Sequence, residues 1–76
     1  MENNEKYLVA KNIKELAVST GKRTGKNIVQ LAEKAGISKA AFYTYMNGEF
    51  APSIFTLKKL CKIFNCSYEC ILGKVE

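Results

Sequence analysis

A chain of 76 residues is long enough for one domain, and at this size folding removes only about 60–65% of the surface the extended chain exposes, which leaves little room for a deep catalytic cleft. Hydrophobic residues at 47% and charged residues at 25% are the proportions of a folded domain and exclude a disordered tail. Twelve Lys and Arg against seven Asp and Glu give a net charge of +5, so the surface attracts polyanions, and the sequence has no histidine to serve as the commonest general base.

Met1 to Lys6 is polar, with no basic stretch leading into an apolar run, so neither a signal peptide nor a membrane span is expected. From about Glu5 to Ser19, Val9, Ile13, Leu16 and Ala17 recur at three and four residues and predict a first helix with Lys11, Lys14 and Glu15 outside. Ser19-Thr20-Gly21-Lys22-Arg23-Thr24-Gly25-Lys26 has two glycines and no apolar residue, which predicts an exposed, mobile loop. Asn27 caps a second helix running to about Lys34, with Ile28, Leu31 and Ala32 inward and Gly36 turning the chain after it. Ser38 caps a third, about Lys39 to Met46, which stops at Asn47-Gly48, a pair that accepts left-handed backbone angles; Phe42 and Tyr45 belong to its core side.

Pro52 cannot continue a preceding helix, whereas Ser53 caps a fourth that carries Ile54, Leu57, Leu60, Cys61 and Phe64 at core spacing and ends at Asn65. A short fifth helix from Ser67 returns Ile71 and Leu72 over the core. Cys61, Cys66 and Cys70 are odd in number and lack both Cys-x2-Cys spacing and a histidine, so they read as buried thiols in a reducing cytoplasm and not as a metal or redox site. The expected fold class is all-α, a compact bundle of about five helices forming one domain over 1–76.

Two helices cross closely only where a small side chain lies between them; Ala32 takes that place, Gly36 turns the chain and Phe42 plugs the gap. Leu31-Ala32-x3-Gly36-Ile37-Ser38, Phe42, Asn47-Gly48, Pro52-Ser53 and Leu57-x2-Leu60-Cys61-x2-Phe64-Asn65-Cys66-Ser67 follow in register over 27–72. Together they resemble the helix-turn-helix family of phage Cro and repressor proteins, the xenobiotic-response-element-type regulators. The resemblance implies a lambda-repressor-like bundle with its helix-turn-helix at about 27–46, and a sequence-specific regulator, a repressor, that binds double-stranded DNA as a homodimer.

A third helix lying in a major groove presents Lys39, Ala40, Tyr43 and Thr44 on one face, the positions the resemblance also assigns to base edges. Lys39 suits guanine O6 or N7, while Ala40 and the Thr44 methyl suit a thymine methyl. Phosphate contacts carried over from the resemblance fall on Asn27, Ile28, Ser38, Asn47 and Gly48, with Lys26, and Lys22 and Arg23 beside it, adding charge. Two departures stand out. Ile28 occupies the position where the family commonly has glutamine, the nearest glutamine being Gln30, and the link between the first two helices is longer than usual.

Arg23 is the single arginine, which disfavours bidentate guanine recognition and points to a site rich in A·T pairs. Lys58, Lys59 and Lys62 read as a solvated outer face. Self-association would run through Ile71, Leu72 and Val75. The competing reading is a protein-interaction module of antitoxin or adaptor type, favoured by Ile28 and by Phe42, Tyr43 and Tyr45. No enzyme activity, cofactor, metal, membrane or small-molecule ligand is expected.

Overall fold

One long helix, α1 (Glu2–Thr24), packs against all four of the others: α2 (Ile28–Ala35), α3 (Lys39–Asn47), α4 (Ile54–Phe64) and α5 (Tyr68–Leu72). The computed structural model describes residues 2–73, and among them there is no strand. The radius of gyration of 11.4 Å is that of a compact body of this length. Ile13, Ala17, Leu31, Ala32, Phe42, Leu57, Leu60, Phe64 and Ile71 form one buried cluster, with the Phe42 and Phe64 rings 6.3 Å apart and tilted by 31°. No helix is long and apolar enough to cross a membrane, among the described residues.

Side chains start the middle helices and backbone ends them. Asn27, Ser38 and Ser53 each accept a hydrogen bond from the amide three residues on, filling one of the donors a helix start leaves open. At the other end, the amides of Gly36 and Ile37, of Gly48 and Glu49, and of Asn65 and Cys66 turn back to the last carbonyls in the same pattern. Asn12 on α1 donates from Nδ2 to the Ile71 carbonyl at 3.0 Å, which latches α5 to α1.

The largest difference from the sequence reading lies at the end of α1. The segment 19–26, expected to be a loop, is helical to Thr24, so the extra length beyond the usual link lengthens a helix. Thr20 continues the inward stripe of Ala10, Ile13 and Ala17 and is 1% exposed. A stripe completed by a hydroxyl is invisible to a search for apolar residues. Gly21 is required for closeness, since a Cβ there would lie 2.8 Å from the returning Lys26 carbonyl oxygen. Thr24 Oγ1 donates to the Thr20 carbonyl at 2.7 Å, and Lys22 and Arg23 in the last turn face the negative end of the helix dipole.

Other corrections concern which faces are covered. Ile54 has core spacing but is 55% exposed, because it lies in the first turn of α4, past the edge of what the other helices cover. Leu72 is exposed while Ile71 is fully buried, since a helix as short as α5 turns one large side chain inward. Tyr45 and Ile28 are half-buried against the core. Val75 lies outside the described residues. Cys61 and Cys66 are half-buried and Cys70 is exposed, so the expected burial of all three thiols does not hold for Cys70, on the outer side of α5.

Burial raises the Cys61 thiol against a hydrogen bond with Cys66 that lowers it. Burial, reinforced by the neighbouring thiols, pushes Cys66 up to about 11. A raised value starves the thiolate at neutral pH. Iodoacetamide at pH 8 is expected to label Cys70 first and Cys66 slower by roughly an order of magnitude or more, with the Cys66 rate still rising toward pH 11. Site-resolved mass spectrometry reads this; equal rates at all three sites would contradict the burial of Cys66.

The Thr20 hydroxyl is buried with no hydrogen-bond partner. An orphaned buried hydroxyl costs about 1–3 kcal/mol. Thr20→Val keeps the shape and removes that cost, so it is expected to raise Tm by about 4–8 °C for each kcal/mol gained. Thermal melts followed by circular dichroism check the sign; a lower Tm would mean that the hydroxyl is satisfied in solution.

Candidate nucleic-acid interface

The candidate interface is built on two helix starts and one turn. Asn27 Oδ1 accepts from the Gln30 amide at 2.9 Å, while the Asn27 amide donates to Gln30 Oε1 at 2.9 Å, a reciprocal capping box. Gln30, noted in the sequence only as the nearest glutamine to the departed position, therefore closes the start of α2. Its spacing of three from Asn27 is a signal that local reading can find. With the third amide used, helix geometry leaves those of Ile28 and Val29 open toward solvent, where an anion is favoured.

Gly36 sets the angle between α2 and α3. Its φ of +76° is left-handed; its amide donates to the Glu33 carbonyl at 3.1 Å and that of Ile37 to the Ala32 carbonyl at 2.9 Å. Two residues later Ser38 Oγ accepts from the Ala41 amide at 3.1 Å and starts α3. Phe42, 1% exposed, pins the inner side of α3 into the core.

That anchorage decides which residues of α3 face out. Lys39, Ala40 and Tyr43 are exposed and Thr44 is half-exposed, all on one side of the helix, and Asn47 continues the face a turn later. Thr44 Oγ1 donates to the Ala40 carbonyl at 2.8 Å, so a partner meets its methyl and the hydroxyl's lone pairs. Lys39 carries the only charge of these five residues.

The remaining sequence candidates fall around this face. Lys26 is half-buried and, with Gln30, Glu33 and Lys34, borders an open depression along the outer side of α2. Gly48 is buried with φ +80°; its amide donates to the Tyr45 carbonyl at 3.3 Å, which commits that donor inside the helix end. A Cβ at Gly48 would lie 3.0 Å from the Tyr7 ring, so α1 seats the end of α3. That contact with Tyr7 spans the chain, and no local pattern signals it. Lys22 and Arg23 sit on the last turn of α1 and not in a loop. Lys59 and Lys62 share a groove with Lys34, Ala35 and Ile63 between α2 and α4, a grouping of lysines from two helices that sequence order conceals.

No group of three Cys, Asp or Glu side chains is placed to hold a metal ion, among the described residues. The model of the Cro/C1-type HTH DNA-binding domain matches residues 12–73, which takes in the latter part of α1 and all of α2 to α5. No curated protein and no solved structure matches the chain.

Gly36→Ala tests how much the turn depends on its left-handed backbone. A Cβ at Gly36 meets nothing within 4 Å, so the whole penalty is conformational. It is expected to be about 1–2 kcal/mol in urea unfolding. An unchanged midpoint would show that the chain turns by another route.

Proposed function

The chain belongs to the family of Cro/C1-type helix-turn-helix DNA-binding domains, and from that premise we propose that it is a sequence-specific transcriptional regulator, a repressor, that reads the major groove with the outer face of α3. The family match supports a DNA-binding regulator. The observation that carries the finer reading is the fixed face of Lys39, Ala40, Tyr43 and Thr44, held outward by the buried Phe42 behind it. In this reading Lys39 donates to a guanine edge, Ala40 and the Thr44 methyl pack on thymine methyls, and Tyr43 touches a base or a phosphate.

Phosphates are held by the start of α2, from Asn27 and the open amide of Ile28 with Lys26 beside them, by the start of α3 at Ser38, and by Asn47 in its last turn. Gly48 serves by turning the chain at that point. These contacts fix register and orientation, whereas the α3 face carries sequence information. Because the face holds a single cation and the chain a single arginine, Arg23, recognition leans on shape and methyl contacts and favours a site rich in A·T pairs. Two copies on paired half-sites supply the affinity one small module lacks. No catalysis is assigned.

Selection from a random duplex library at near-physiological salt tests this, with Lys39→Ala and Thr44→Ala run alongside. Enrichment of A·T-rich half-sites about one helical turn apart is expected. Lys39→Ala is expected to cost about 1–3 kcal/mol and relax one position, whereas Lys26→Ala weakens all sequences alike and lowers the salt slope by about 1. No enriched sequence, or one indifferent to both α3 changes, would turn the reading toward a protein-interaction module of antitoxin or adaptor type.

A further inference from the structure

The groove between α2 and α4 has no part in the reading of DNA set out above. It encloses about 330 Å³, the small end of the range that ligand sites occupy. Ala35 and Ile63, both half-buried, form its apolar lining, and Lys34, Lys59 and Lys62, all exposed, bring three ammonium groups to it from the two helices. No acidic residue lines it. From Phe50 to Tyr68 the chain carries three lysines and no Asp or Glu, so α4 has nothing of its own to neutralise them. Glu33, the one acid on α2, borders the separate depression with Lys26 and Gln30. Among the described residues, none of the three lysines is paired with a carboxylate.

Helix ends account for part of this charge. Lys34 and Lys62 stand in the last turns of α2 and α4, where a cation suits the negative end of a helix dipole. Lys59 gains nothing of that kind. It lies three residues before Lys62 on the same helix, a spacing at which like charges repel, and Lys34 adds a third cation from across the groove. An anion set among them relieves that repulsion.

We propose that this groove binds an acidic segment of a partner protein, a short run of Asp and Glu that carries one large apolar side chain. Its carboxylates meet the three ammonium groups, and its apolar side chain lies on Ala35 and Ile63. Both parts of that occupant follow from the lining. A bare phosphate chain uses the lysines and leaves the apolar part wet, whereas an apolar segment without acids faces three cations that it cannot pair. An aromatic side chain suits the place best, because ammonium groups are attracted to the face of a ring. The net charge of +5 draws an acidic partner toward the chain from a distance. Position leaves the DNA face free. No residue of α3 lines the groove, and α2, which packs on both, stands between α3 and α4. A partner seated there leaves Lys39, Ala40, Tyr43 and Thr44 uncovered, so the site stands whether or not α3 reads DNA.

The test is an NMR titration of the isotope-labelled full chain with the capped pentapeptide Glu-Asp-Phe-Glu-Asp. Shifts are expected to concentrate at residues 34–36 and 59–63, with a Kd between about 0.1 and 1 mM that rises with salt. Alanine in place of the phenylalanine is expected to weaken binding about five- to tenfold, since most of a buried ring's gain is lost. Lys34→Gln/Lys59→Gln/Lys62→Gln, which changes exposed side chains only, is expected to weaken it about tenfold. No shift at several millimolar peptide, or shifts spread evenly over the other lysines such as Lys11 and Lys14, would overturn the proposal. So would equal binding of the alanine peptide, which would reduce the groove to a general ionic attraction, or equal binding of the neutral peptide Gln-Asn-Phe-Gln-Asn. Displacement of the peptide by a mixed-sequence duplex that shifts the same residues would overturn it too, since the lysines would then be phosphate contacts. Peptide bound in the groove with no sequence enriched from the random library would uphold the site and remove the DNA reading instead.

Discussion

Burial of Phe42 is the constraint on which the rest depends. Its ring lies 6.3 Å from that of Phe64, so one side chain ties α3 to α4 at the centre of the core. Fixing the inner side of a helix this short also fixes its outer side, because the two are joined by a rigid turn of backbone. The face of Lys39, Ala40, Tyr43 and Thr44 is thus a consequence of packing as much as of its own residues. Loss of that ring would cost on the order of 3–5 kcal/mol, a large share of the stability of a domain this size.

Much of this was legible from neighbours along the chain. Asn27, Ser38 and Ser53 start helices, and Gly36, Gly48 and Asn65 end them, because capping is settled by atoms three to five residues away. What stayed hidden depends on distant partners. Thr20 reads as a loop residue until α1 is seen packed against the other four helices with that hydroxyl inside. Ile54 and Leu72 have the spacing of core residues, yet whether a face is covered is decided by other helices. The seating of Gly48 on Tyr7 links positions that no periodicity relates.

The charge pattern separates two tasks. Lys26 and Lys34 lie on or beside α2 and Lys58, Lys59 and Lys62 on α4, while the stretch from Ala40 to Leu57 carries only Glu49. Under the proposed reading, long-range attraction to a polyanion comes from these lysines, and close contact is made by Lys39 together with neutral groups whose energies depend on fit. Such a division suits a module whose attraction to DNA in general is modest and whose discrimination must come from shape and methyl contacts.

The three matching helix ends, at Gly36, Gly48 and Asn65, bear on how quickly the chain reaches its native state. Each stop is written in a few adjacent residues, so where α2, α3 and α4 end is set locally, while helices this short gain their stability by packing on one another and on α1. Closing the fold then amounts to docking short, already bounded cylinders onto α1, with the Asn12 to Ile71 bond fastening the last of them. Folds so rich in local contacts form in microseconds to milliseconds. A body of this kind regains its native state soon after any opening, so a local loss of structure is short-lived.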